Sequence, residues 1–146
     1  MTYLPDINLW MALAVEGHTH HAEAQAWLEE CEEDMLAFCR VTEMGLLRLL
    51  TNASVMGRDV LTPEQAWRVR DGFADDDRVV FLPEAPGFDG RWREYSEIRK
   101  GGQNFWNDAY LAAFAEAADC TLVTFDRGPW KNGRGRVRVL GADGVR

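Results

Sequence analysis

The chain has 146 residues, 47% hydrophobic and 27% charged, a globular composition that suits one domain with a sizeable core and excludes a disordered or fibrous chain. Its formal net charge of −8 argues against a nonspecific nucleic-acid coat, and no apolar window approaches the roughly 20 residues of a membrane helix. Cys31, Cys39 and Cys120 show no C-x-x-C spacing and no basic region opens the chain, so reduced structural thiols, no zinc knuckle, no signal peptide and a cytoplasmic location are expected.

Taken in order, Thr2 to Leu4 reads as a short buried strand, and Asn8 to Val15 as a helical turn or two beyond Pro5 and Asp6. His20 to Glu33 is a helix with Ala22, Ala26, Trp27 and Cys31 on one side. "MLAF", Met35 to Phe38, is a second strand. Thr42 is the expected N-cap of an apolar helix over Glu43 to Leu50. "TPEQAW" starts another helix, with Thr62 as cap and Pro63 at the first helical position, running to about Asp75. Val79 to Leu82 is a third strand. Phe88 to Lys100 and Phe105 to Ala118 are helices separated by Gly101 and Gly102. "TLVTF", Thr121 to Phe125, is the clearest buried strand, and Val137 to Leu140 a final edge strand.

Strands alternating with helices imply parallel β-α-β units with right-handed crossovers. The prediction is one three-layer α/β/α domain over residues 1–146, with a central parallel sheet of four to five strands. Ligands of such sheets bind beyond the carboxyl ends of the strands.

Four acids fall at those ends. Asp6 and Asp126 each follow a buried apolar strand, Glu43 lies one turn into the helix after the second strand, and Asp108 opens the helix of "NDAYLAAFA". Each alone has an ordinary reading, as a helix-dipole partner or a turn aspartate. Together they pose an electrostatic problem, since two unit charges 5 Å apart repel by roughly 3 kcal/mol at an effective dielectric of 20. Protonation or a bound cation relieves it. Hard carboxylate oxygens suit Mg²⁺ or Mn²⁺, which also accept phosphate oxygens.

"LPDINLWMAL", "RVTEMGLLRLL", "NDAYLAAFA" and "LVTFDRG", in this order and spacing, resemble the four motifs of PIN-domain ribonucleases, and among them the VapC-type toxins of bacterial toxin–antitoxin pairs. The resemblance spans nearly the whole chain. It implies a Mg²⁺- or Mn²⁺-dependent endoribonuclease that hydrolyses phosphodiester bonds by metal-activated water, with Asp6, Glu43, Asp108 and Asp126 as the acidic metal-binding and catalytic residues. It also implies a homodimer and a cognate antitoxin that neutralises it. Asn8 and Thr124, near two of the acids, are candidates to bond the waters of the ion.

Other features weigh less. "HTHH", His18 to His21, has no partner Cys pair and no H-E-x-x-H pattern, so no zinc site is assigned. Trp10 on its apolar helix face belongs to a core, whereas Trp106 and Trp130 are candidates to stack unpaired bases. Residues 78–146 carry eleven basic and nine acidic groups, against five and fifteen in residues 1–77. Arg127, Lys131, Arg134, Arg136 and Arg138 form a basic stretch suited to an RNA backbone or to part of an antitoxin. Two rivals remain. One is a noncatalytic acidic interaction or cation-binding module. The other is an aspartyl-nucleophile phosphatase, disfavoured because Asn8 stands where that chemistry wants a second aspartate.

Overall fold

The first strand of the chain becomes the middle of the sheet. In the computed structural model, which describes residues 1–98, 102, 104–126 and 136–141, five strands pair in the order β3-β2-β1-β4-β5. They are β1 (Thr2–Pro5), β2 (Met35–Phe38), β3 (Val79–Phe81), β4 (Thr121–Thr124) and β5 (Val137–Val139). Every pairing is parallel, with Tyr3 opposite Leu36 on one side and Leu4 opposite Leu122 on the other.

The helices are α1 (Ile7–Ala14), α2 (His21–Glu30), α3 (Arg40–Leu50), α4 (Ala53–Met56), α5 (Pro63–Phe73), α6 (Phe88–Ile98) and α7 (Phe105–Ala118), with a 3₁₀ turn at Gly57–Asp59. Alternation along the strands sorts them into layers. Leu36, Phe38 and Val123 point into the core under α1, α2, α3 and α5, while Leu4, Ala37 and Leu122 point into the core under α6 and α7. The result is the three-layer parallel architecture expected from the sequence. Cys31, Cys39 and Cys120 are buried free thiols.

Trp10 is fully buried and lies flat on Phe38, ring centroids 3.8 Å apart and planes 9° apart. Losing a side chain of this size from a core costs about 3–5 kcal/mol, so α1 is firmly seated on the sheet. Gly45 lets α3 approach α1: a Cβ there would stand 2.6 Å from Ile7 Cγ1.

Several boundaries shift. Thr62 and Pro63 open α5 as predicted, with a capping box closed by Gln65. α3, however, starts at Arg40, and its N-cap is Cys39 rather than Thr42. The Thr42 hydroxyl sits three residues in and accepts the Cys39 N–H at 3.0 Å, so it closes the helix start from inside. α4 and the 3₁₀ turn occupy a stretch assigned no element from sequence. Asn52 caps α4 through the Ser54 N–H, a signal too short to carry a periodic pattern. The predicted extension of α6 to Lys100, and Gly101, lie outside the described residues.

Candidate active site

Strand order reverses between β1 and β4: the chain builds outward from β1 through β2 to β3, then returns to the other side of β1. A crevice opens at such a switch point, beyond the carboxyl ends of the strands. Asp6 leaves β1 there and Asp126 leaves β4 there.

Asp6 has two structural duties. Its backbone is extended and its Oδ1 accepts the Leu9 N–H at 2.8 Å, which makes it the N-cap of α1. Its Oδ2 accepts the Thr124 hydroxyl at 2.5 Å. Thr124 Oγ1 in turn accepts the Asp126 N–H at 3.0 Å. One hydroxyl therefore ties together the ends of the two central strands. Asp6 is 8% exposed, and burial, the largest influence, raises its carboxyl pKa to about 6. The hydrogen bonds from Thr124 and Leu9 oppose this, and the negative charge of Asp126 adds to it. Asp6 and Asp126 thus lie within electrostatic range of one another.

Glu43, on the fourth residue of α3, is buried but not bare. Arg40 Nη1 meets its Oε1 at 2.5 Å and Arg70 Nε meets its Oε2 at 2.9 Å. Asp108 is half-buried in the first turn of α7, whose chain then runs back to the start of β4. Asn8 is exposed on the first turn of α1. Among the described residues, no three His, Cys, Asp or Glu side chains stand close enough to form a metal-holding group. Asp6 and Asp126 offer the hard oxygen donors that a divalent ion takes. Mg²⁺ is commonly held by one or two carboxylates and completed by waters and substrate phosphates. A buried acid beside a second acid is the place where such a charge is wanted.

Sequence reasoning missed the arginines. Arg40 precedes Glu43 by three residues on one helix, a spacing that brings side chains together. Arg70 comes from α5, and no local pattern points to it. The histidines are structural. His21 Nδ1 donates to the Ala12 carbonyl at 2.7 Å, His18 Nδ1 accepts the His20 N–H at 3.0 Å, and His20 stacks on Phe125 at 4.3 Å. Trp106 is 62% exposed and meets Trp92 edge to face. Of the basic stretch, Arg136 pairs with Asp119 at 2.7 Å and Arg138 with Glu30 at 3.7 Å. Arg127, Trp130, Lys131 and Arg134 lie outside the described residues.

A five-stranded parallel α/β domain with an aspartate at each lip of its switch point has the build of a PIN domain, and the family model for the PIN domain matches residues 3–133. The chain belongs to this family. Ribonuclease VapC41 of Mycobacterium tuberculosis is 40% identical over 142 residues, covering 94% of this chain and 97% of the relative. Ribonuclease VapC29 of the same species is 33% identical over 131 residues, 88% of each chain. The fold is shared with VapBC2 of Rickettsia felis, solved bound to a DNA fragment from its promoter, at a TM-score of 0.69, 17% identity, and coverage of 95% of this chain and 98% of that one.

Proposed function

We propose that this chain is a divalent-metal-dependent endoribonuclease that acts as the toxin of a toxin–antitoxin pair. The observation that carries the reading is the Asp6–Thr124–Asp126 linkage across the switch point, in a chain 40% identical to a protein named as a ribonuclease. Asp6 and Asp126, with Asp108 and Glu43 from the first turns of α7 and α3, are proposed to hold Mg²⁺ or Mn²⁺. When bound, the ion supplies an activated water and neutralises charge on the scissile phosphate. Without such a counter-charge, an acidic rim repels an RNA backbone.

The chain's own residues do the positioning. Thr124 donates to Asp6 Oδ2 and fixes the carboxylate plane, and the Leu9 N–H holds Oδ1. Asp6 keeps unused acceptor capacity on both oxygens, since an ionised carboxylate has about four lone-pair sites. Its raised proton affinity leaves it ionised at neutral pH but close enough to titration that a cation's field is strongly favoured. Asn8, exposed on the same helix start, is proposed to bond waters of the ion.

The decisive experiment incubates RNA with the protein in Mg²⁺ or Mn²⁺, with and without EDTA, beside the Asp6→Asn variant. Cleavage that needs both metal and Asp6 supports the reading. Metal binding with no cleavage of any RNA would transfer it to a noncatalytic cation-binding module. Mapping cleavage ends across total cellular RNA after brief induction identifies the substrate. A homodimer and a neutralising antitoxin complete the proposal. Sedimentation tests the first, and co-expression with a candidate antitoxin, scored by loss of RNA cleavage, tests the second.

A further inference from the structure

The two arginines on Glu43 differ in kind. Arg70 comes from the interior of α5, has only 12% of its side chain exposed, and lays its guanidinium 4.1 Å over the Phe38 ring. Arg40 stands on the first turn of α3 with 65% of its side chain in solvent, its guanidinium 4.5 Å from the ring of Phe81 on an edge strand. One oxygen of Glu43 is therefore held by a largely buried cation and the other by a largely exposed one.

This difference bears on the nuclease reading, on which the inference rests. A divalent ion approaching Glu43 meets a guanidinium already seated on each oxygen, and like charges oppose its entry. Arg70 cannot leave without stripping its contact with Phe38. Arg40 gives up less, because 65% of its side chain already lies in solvent and the Phe81 ring it would leave is itself 38% exposed. A released guanidinium is planar, permanently charged and matched to phosphate oxygens.

We propose that Arg70 is a positioning residue for Glu43, and that Arg40 is an exchangeable cap on Glu43 Oε1 which gives way to the divalent ion and then binds a backbone phosphate of the RNA. Cation entry and RNA capture are thereby linked: the group displaced by the first becomes a ligand for the second.

The test is calorimetric titration of metal-free protein with Mn²⁺, comparing wild type, Arg40→Gln and Arg48→Gln. Arg48 is an exposed residue two turns along α3, and its removal makes the same change in net charge. Arg40→Gln should bind Mn²⁺ about 3- to 10-fold more tightly, and Arg48→Gln within about twofold of wild type. In steady-state cleavage, Arg40→Gln should raise KM for single-stranded RNA several-fold and reduce the salt dependence by about one phosphate contact. Equal Mn²⁺ affinities for Arg40→Gln and Arg48→Gln, or an unchanged KM for Arg40→Gln, overturn the exchange. A wild-type protein that binds no Mn²⁺ overturns the nuclease reading itself, which is a separate result.

Discussion

Thr124 and Asp6, 118 residues apart in the chain, share a hydrogen bond of 2.5 Å between their side chains. Because Thr124 also accepts the Asp126 N–H, the two acids at the switch point are set by one hydroxyl. Replacing Thr124 with Val keeps the shape and removes the donor. Loss of a partner to a buried acceptor costs about 1–3 kcal/mol, which chemical denaturation will show as a lower midpoint. Supporting partners of metal ligands typically matter 10- to 100-fold, so cleavage by Thr124→Val should fall by about that factor. Wild-type activity in this variant would mean that Asp6 is oriented by something else.

The burial of Asp6 has a pH signature. Its pKa is 3.8 unperturbed and about 6 in the fold, so between these values the native state binds more protons than the unfolded chain. Metal-free stability should therefore fall as pH rises through that window, by about 3 kcal/mol in all for this group. In Asp6→Asn this component disappears. The variant should melt higher than wild type near pH 7 without metal, with the advantage shrinking toward pH 4. Thermal melts across pH 4–8 measure it. Added Mn²⁺ should raise the wild-type melting temperature and leave Asp6→Asn unmoved.

Gly45→Ala tests the seat of α1. The substitution improves helix propensity by about 1 kcal/mol, yet its Cβ would intrude on the branched Ile7 side chain directly after Asp6. Overpacking of this kind costs about 1–3 kcal/mol, so the net change should be destabilising. A shift of Ile7 moves the helix start that Asp6 caps, and RNA cleavage should drop with it. A melting temperature equal to or above wild type would show that α1 and α3 separate freely.

Trp106 offers a surface test. It is largely exposed, two residues before Asp108, so Trp106→Ala should leave the fold intact. If it stacks an unpaired base, the variant loses about 1–3 kcal/mol of RNA affinity, seen as a higher KM with thermal stability unchanged. An unaltered KM assigns the side chain no part in binding RNA.

Much of this molecule was legible from local chemistry. Thr62 and Pro63 announce α5 because capping acts within four residues, and "MLAF" and "TLVT" announce buried strands because both faces are covered. Trp10 was readable as core from its helix face. The start of α3 was not, since a threonine hydroxyl closing a helix from its third position looks in sequence like one opening it. The pairing of Glu43 with Arg70 was not legible either. It depends on how α5 lies against α3, across 27 residues, and no spacing rule reaches that far. The acids themselves stand out because a strand end limits where they can be. Their distant partners, Arg70 and Thr124, come from packing.

The middle position of β1 also sets a timetable. Asp6 at the first lip of the crevice precedes β4 and Asp126 at the second by more than a hundred residues of synthesis. Chains emerge from the ribosome amino end first and fold as they do, at about 5–20 residues per second. A nascent copy still lacking β4 holds Asp6 with neither Thr124 nor Asp126 beside it. On the proposed function, RNA cleavage by the growing polypeptide waits until β4 has been made and has paired with β1.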